Sequence, residues 1–324
     1  LRYRNLGNSG IRVSEIGFGC WGIGGDHGGA VAYGKTDDAV SLKAVHAALD
    51  CGINFFDTAD FYGNGHSEEL LGQALQGRRN SVVIASKGGM LTPAGDQDFS
   101  ADHIRAAVEG SLRRLQTDYI DLYQWHSPPV SKLAEFSDTA ALLDDFKRAG
   151  KIRQVAFSAR SPEEGLTAAK SGTFASVQVN FNLADQRALG SGLIEYCEES
   201  GVGLVIRTPL CFGFLTGEYS AEQTFAPGDH RARWSVSQRE SWSAARTAFR
   251  TVHARYATMT AAQFALSYCL SYSAVSTTIP GMLTPDQVAE NSAAGSLPLL
   301  SKSDCIEIEE IYRTLEIGLR KEAQ

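Results

Sequence analysis

Short, almost wholly apolar runs recur along this chain with helical patterns between them, and that alternation restricts the fold more than any other feature. The runs are Ile16–Cys20, Ile53–Asp57, Val82–Lys87, Tyr119–His126, Gln154–Ser158, Ser176–Asn180, Leu204–Arg207 and Ala274–Ile279. They are too short for helices, and their near-continuous apolar character suits parallel strands covered on both faces. Between them, Ile104, Val108, Ser111, Leu112 and Leu115 share one helical face, and Leu142, Leu143 and Phe146 share another that ends at Gly150. Gly52 and Gly201 follow two further helical patterns where a left-handed C-cap belongs. Ser161-Pro162-Glu163-Glu164 and Thr284-Pro285-Asp286-Gln287 read as capping boxes with proline in the first turn.

Strand–helix units of this number close into a barrel or open into a doubly wound sheet. An open dinucleotide-binding sheet requires G-x-G-x-x-G running directly from the first strand into a helix. The stretch from Gly17 to Gly25 is rich in glycine, but no helical pattern follows it at once. The expected fold is therefore an α/β protein of the (β/α)8 TIM-barrel type. The long interval 208–273 holds a loop, Cys211–Trp234, and more than one extra helix before the last strand; a final helix is expected over Lys302–Leu319. The 324 residues contain no Pro- or Gly-rich linker, so one barrel domain over 1–324 is expected.

A charged fraction of 21% and a formal charge of −7 speak against nucleic acid or an anionic membrane as the main partner. No apolar stretch approaches the ~20 residues of a membrane span, and the first residues lack the apolar core of a signal peptide. A cytoplasmic enzyme is expected. Cys20, Cys51, Cys197, Cys211, Cys269 and Cys305 show no paired spacing, so they read as small hydrophobic groups rather than a disulfide framework or zinc site.

Catalytic groups in such barrels gather at the C-terminal ends of strands. Four polar residues fall there: Asp57, Tyr62 in Asp57-Thr58-Ala59-Asp60-Phe61-Tyr62-Gly63, Lys87, and His126. Each alone has an ordinary structural explanation as a cap, surface charge, wall or core residue; together they suit carbonyl reduction. That reaction needs a hydride and a proton, and a phenol of pKa about 10 can serve as the acid if a nearby ammonium lowers that value. Asp57 would hold Lys87 charged, and His126 would orient the substrate oxygen. Lys87 would repel a cation at this place, so no metal is expected.

The Asp-Thr-Ala-x-x-Tyr-Gly segment, with Lys87 and His126 following in order, resembles the catalytic tetrad of the aldo-keto reductases. The resemblance runs almost end to end, through Ala156-Phe157-Ser158, Gln178, Pro209-Leu210, Leu215-Thr216-Gly217 and Ile279-Pro280-Gly281 leading to Glu290-Asn291. It implies a barrel that binds an extended nicotinamide cofactor without the glycine fingerprint. By the same resemblance Ser158 and Gln178 hold the carboxamide, Trp21 lies beside the nicotinamide, and Thr208, Pro209, Leu210 and Gly213 line the pyrophosphate. Gly281, Gln287, Glu290 and Asn291 lie at the adenosine end, although Gln287 serves equally well as a cap. Arg207 stands where many members stack an aromatic ring, and Ala159 where many carry Asn. NADP(H) is slightly favoured on family grounds, with NAD(H) the alternative, because Gly281, Leu283 and Gln287 supply none of the basic side chains that clamp a 2′-phosphate.

The expected substrate is a small carbonyl or sugar in a pocket walled by Trp21, Phe61, Trp125, Phe212 and Trp234. Residues 22–36 and 211–240 are the loops expected to set its specificity. Two other functions remain open: a cofactor-binding regulatory subunit, since channel-associated β subunits resemble this family, and an epimerase or dehydratase using hydride transiently.

Overall fold

A short antiparallel hairpin, β1 (Tyr3–Asn5) and β2 (Arg12–Ser14), opens the chain. In the computed structural model, which describes residues 1–92, 94–226 and 228–315, the apolar runs then pair side by side in chain order. The strands are β3 (Phe18–Gly19), β4 (Phe55–Asp57), β5 (Val83–Gly88), β6 (Ile120–His126), β7 (Ile152–Ser158), β8 (Ser176–Asn180), β9 (Gly203–Arg207) and β10 (Val275–Ile279). Every neighbouring pair is parallel. Bridges from Ile16 to Thr278 and from Gly19 to Gly281 join β3 to β10 and close the barrel. The first run is mostly held by these isolated bridges, so its regular strand is shorter than the apolar run that marks it.

Helices α1 (Asp38–Asp50), α2 (His66–Ala74), α3 (Ala101–Arg114), α4 (Ser137–Arg148), α5 (Pro162–Lys170), α6 (Arg187–Gly190) and α7 (Leu193–Ser200) follow successive strands. The interval before β10 carries α8 (Val236–Ala248), α9 (Arg250–His253) and α10 (Ala261–Leu270); α11 (Pro285–Ala293) and α12 (Lys302–Thr314) follow β10. The helix expected over Lys302–Leu319 is seen as far as Thr314, and residues 316–319 lie outside the described residues. Gly201 caps α7 with φ 74°, as its position after the helical pattern implies.

Both expected capping boxes form only by half. Ser161 accepts from the Glu164 amide, but the Glu164 carboxylate turns to Arg160. Thr284 accepts from the Gln287 amide, while Gln287 Oε1 takes the Leu283 amide instead of closing the box. A complete box forms at Thr260 and Gln263, at the start of α10.

The barrel interior has two levels. Its lower level is apolar: Phe55, Val83, Ala85, Leu122, Ala156, Val205 and Ile279 pack with Leu6, Ile11 and Val13 of the hairpin, which plugs the N-terminal end. The sequence pattern gives no sign of this hairpin, because its strands are three residues long and carry little apolar periodicity. Continuing the same inward register upward reaches Asp57, Lys87, Gln124, His126, Ser158, Gln178, Asn180 and Arg207. A polar layer thus rests on an apolar plug.

Candidate active site

The register of the strands sets out this polar layer before any side chain is considered. Lys87 pairs with Gln124 across β5 and β6, His126 with Ser158, Ser158 with Gln178, and Asn180 with Arg207. Inward side chains at one height come from neighbouring strands, so these groups meet at the C-terminal mouth.

Lys87 is fully buried and all three of its ammonium protons are used. Nζ donates to Asp57 Oδ1 at 2.5 Å, to the Thr58 carbonyl at 2.8 Å and to Tyr62 Oη at 3.0 Å. The other Asp57 oxygen accepts from Gln124 Nε2 at 2.8 Å and Gln178 Nε2 at 2.7 Å. The carboxylate is therefore held by one ammonium and two amides, which offsets the cost of burying it. Since Tyr62 Oη accepts from Lys87, its own proton can point into the cleft. Gly63 makes this turn possible: its φ is 60°, and a Cβ there would stand 2.3 Å from the Gly24 carbonyl oxygen.

Burial holds the Tyr62 phenol above the usual tyrosine value, against the opposing pull of Lys87. This corrects the expectation of a lowered value: desolvation outweighs the ammonium, and the phenol stays protonated at neutral pH. Burial pushes Lys87 down, but Asp57 and Tyr62 more than offset it and leave the ammonium above its usual value. His126 is held well below the usual imidazole value by burial and by the charges of Lys87 and Arg207, so it is a neutral donor or acceptor. Its Nδ1 is buried without a partner among the described residues. Behind the site, burial and Glu68 raise Asp60 to about 7.

A cleft with about 1240 Å³ of empty space, its open mouth included, runs outward from Asp57 and Tyr62. Trp21, Gln178, Arg207, Thr208, Pro209, Leu210, Phe212, Gly213, Gly281, Gln287, Glu290 and Asn291 all line it. Tyr33, Tyr219 and Arg231 line it too, from the two long loops. Ser158 sits behind Arg207, whose Nη1 donates to its Oγ at 3.0 Å. Phe61 stands edge-on to His126 with ring centroids 6.3 Å apart.

Two expected walls lie elsewhere. Trp125 falls between the inward residues Gln124 and His126, so the pleat turns it outward; it packs against Phe99, Phe136 and Phe174 beneath the helices. Trp234 lies behind Phe212 at 4.6 Å, in an aromatic cluster with Trp242. Gln124 and Asn180 belong to the site although no motif marks them. Counting by twos, back from His126 on one strand and forward from Gln178 on another, places both inward.

A barrel whose mouth holds this buried Asp–Lys–Tyr chain beside a neutral histidine matches a known family over most of its length. A model of the Aldo/keto reductase family matches residues 15–313. The chain belongs to the aldo-keto reductase family. It is 36% identical over 235 residues to an aldo-keto reductase of Bacillus subtilis, covering 71% of this chain and 69% of that one. It is 31% identical over 328 residues to the NADH-specific methylglyoxal reductase of Escherichia coli, covering 96% and 98%. The solved structure of the glycerol dehydrogenase from Gluconobacter oxydans superposes with a TM-score of 0.79 at 29% identity, over 95% of this chain and 94% of that one. Members of this family are NAD(P)H-dependent oxidoreductases acting on C=O and CH–OH groups, and this chain is an enzyme of that class.

The residues that line the cleft could hold an elongated dinucleotide cofactor. Thr208, Cys211 and Phe212 hold positive φ of 52°, 46° and 57°, unusual for residues with side chains and costly for β-branched Thr208. Asn182 Nδ2 anchors this turn through the Thr208 carbonyl at 2.9 Å. At Gly281 a Cβ would meet nothing within 4 Å, so the floor of the outer cleft is open to a flat group. Gln178 Oε1 and the hydroxyl proton of Ser158 are not used in these bonds and could take a carboxamide while Asp57 and Arg207 stay held, and Thr208 to Gly213 could border the rest of such a cofactor.

Proposed function

We propose that this chain interconverts a small carbonyl compound or sugar with its alcohol, with Tyr62 passing the proton while the bound nicotinamide exchanges the hydride. The observation that carries this reading is the convergence of Asp57, Tyr62, Lys87 and His126 on one end of the cleft. Asp57 keeps Lys87 in place, Lys87 stabilises the phenolate left when Tyr62 gives up its proton, and neutral His126 orients the substrate oxygen. Trp21, Phe212 and Phe61 are the aromatic walls proposed for the substrate. Trp125 and Trp234, which are not among the residues lining the cleft, are left out of that wall.

Family resemblance slightly favours NADP(H), but the cleft favours NAD(H). Among the described residues lining its outer end, Ala262, Gly281, Leu283, Gln287, Glu290 and Asn291, none is basic, and Glu290 is acidic. Arg231, which lines the cleft nearby, is spent on Asp229 at 2.8 Å and on the rings of Tyr33, Tyr219 and Phe225. The name of the Escherichia coli relative points the same way. Turnover with each reduced cofactor against aldehydes, ketones and sugar lactols tests the reading. Loss of reduced-cofactor absorbance that depends on substrate supports it. Tight binding of a protein partner without turnover would favour a regulatory subunit, and conversion without net oxidation would favour an epimerase.

A further inference from the structure

Arg207 is the one cation facing the inner cleft that no carboxylate neutralises among the described residues. Its guanidinium is fixed by three neutral acceptors: Nε donates to Asn180 Oδ1 at 2.7 Å, Nη1 to Ser158 Oγ at 3.0 Å and Nη2 to the Ala159 carbonyl at 2.7 Å. The carboxylates whose fields reach it are committed elsewhere, Asp57 to Lys87 and Asp185 to Arg187. With His126 and Tyr62 both neutral at pH 7, these pairs cancel and the inner cleft keeps one unit of positive charge. Holding an unneutralised cation in a partly buried place is costly, and packing alone does not require it.

The place is informative. Arg207 ends β9 beside Asn180 and bonds Ser158, which pairs in register with both Gln178 and His126. Tyr62 and Arg207 line the same cleft and the Arg207 charge acts on the phenol, so a nicotinamide placed to give hydride to a carbonyl protonated by Tyr62 would lie near this cation. The reduced ring is neutral; the oxidised ring carries a positive charge. A guanidinium plane can stack on either, but its charge repels only the oxidised form.

We propose that Arg207 sets the redox preference of the cofactor site, holding reduced nicotinamide more tightly than oxidised nicotinamide through its unneutralised charge. The inference rests on the nicotinamide reading of the cleft. By the thermodynamic cycle, the ratio of the two dissociation constants equals the shift of the on-enzyme equilibrium toward the reduced cofactor and the oxidised substrate. Electrons balance throughout: a bound reduced nicotinamide would supply one hydride to the carbonyl carbon, Tyr62 would give one proton to its oxygen, and solvent would restore that proton.

The test measures dissociation constants without substrate, by calorimetry for the oxidised cofactor and fluorescence for the reduced one, for both NAD and NADP. Arg207→Gln should lower the ratio of oxidised to reduced dissociation constants about tenfold, roughly 1.4 kcal/mol. Arg207→Lys, which keeps charge but loses the plane, should keep the ratio within about threefold even if both forms bind less well. Asn180→Asp neutralises the guanidinium without removing it and should lower the ratio like Arg207→Gln; it carries the test if Arg207→Gln does not fold. An unchanged ratio in Asn180→Asp or in folded Arg207→Gln, with both forms weakened equally, would make Arg207 a positioning residue only and overturn the proposal. Failure of the unmodified protein to bind any nicotinamide cofactor would instead overturn the functional reading beneath it.

Discussion

Replacing Lys87 by Met removes three hydrogen bonds at once and strands a carboxylate. Asp57 is 2% exposed and would keep only the amides of Gln124 and Gln178. Removing one partner of a buried ion pair typically costs about 3–5 kcal/mol. The Thr58 carbonyl loses its donor as well, for about 1 kcal/mol more. Set against a total stability of ~5–15 kcal/mol, that is a large fraction. Adding Asp57→Asn removes the stranded charge, so the double variant should recover about 2–3 kcal/mol relative to Lys87→Met alone. Activity should not return with it, because the phenolate of Tyr62 still lacks its ammonium; a loss of at least ~100-fold in the hydride-transfer step should persist. Urea unfolding measures the first quantity and single-turnover oxidation of the reduced cofactor the second. A cost below about 1 kcal/mol for Lys87→Met, or a double variant as unstable as the sum of its parts, would show that the pair is not coupled as described. Activity that recovers in step with stability would reduce Lys87 to a structural role.

Tyr62→Phe should keep cofactor affinity within about twofold and slow hydride transfer by ~10²–10⁴. Because burial holds the phenol above its usual value, carbonyl reduction by the unmodified enzyme should stay level through neutral pH and fall only above about pH 10; a fall centred near pH 7 would assign the proton to another group. Asp60, raised to about 7 from an ordinary value of 3.8, binds its proton more tightly folded than unfolded. That stability is complete below about pH 4 and is lost as pH rises through about 7, so Asp60→Asn should match the parent near pH 4 and exceed it by up to about 4 kcal/mol at pH 8. A difference in Tm that does not change with pH would refute it. Leu283→Arg places a cation on the outer cleft wall and should shift the ratio of NADPH to NADH affinity by about tenfold toward NADPH; fluorescence titration of both decides whether position 283 faces the ribose.

The fold was legible because eight strands buried on both faces leave eight unmistakable apolar runs, and because Gly150 and Gly201 mark the ends of the helices between them. The hairpin that plugs the barrel was not, since Tyr3–Asn5 and Arg12–Ser14 are too short to show a period. The cluster at the barrel mouth was legible because Asp57 and Tyr62 share one compact motif in which even the intervening residues are physically constrained. Thr58 lends a carbonyl to Lys87, Ala59 is fully buried and Gly63 passes within reach of Gly24. The aromatic walls were misread where residue type outweighed position. Trp125 neighbours His126 in sequence, and in a strand that very adjacency sends it to the opposite face. Trp234 sits on a loop, where no periodicity says which way a side chain turns.

The same alternation that misplaced Trp125 explains how floor and roof divide the work of this enzyme. The floor is built on strands: Asp57, Lys87, Gln124, His126, Gln178 and Arg207 occupy inward positions that a shift of one residue would send outward, so their mutual geometry is tied to the barrel itself. The roof is built on the two long loops, joined where Ala32 pairs with Asp229 and its carbonyl accepts from the His230 amide at 2.8 Å. Trp21 packs edge-on against Tyr33 at 4.7 Å and His230 at 5.2 Å, and Arg231 spans Tyr33, Tyr219 and Phe225. Few roof positions are dictated by strand register, so loop sequence can vary without disturbing the ion pair beneath. The polar cluster is therefore written into the part of the chain whose spacing is rigid, and the aromatic roof over it into the part whose spacing is not.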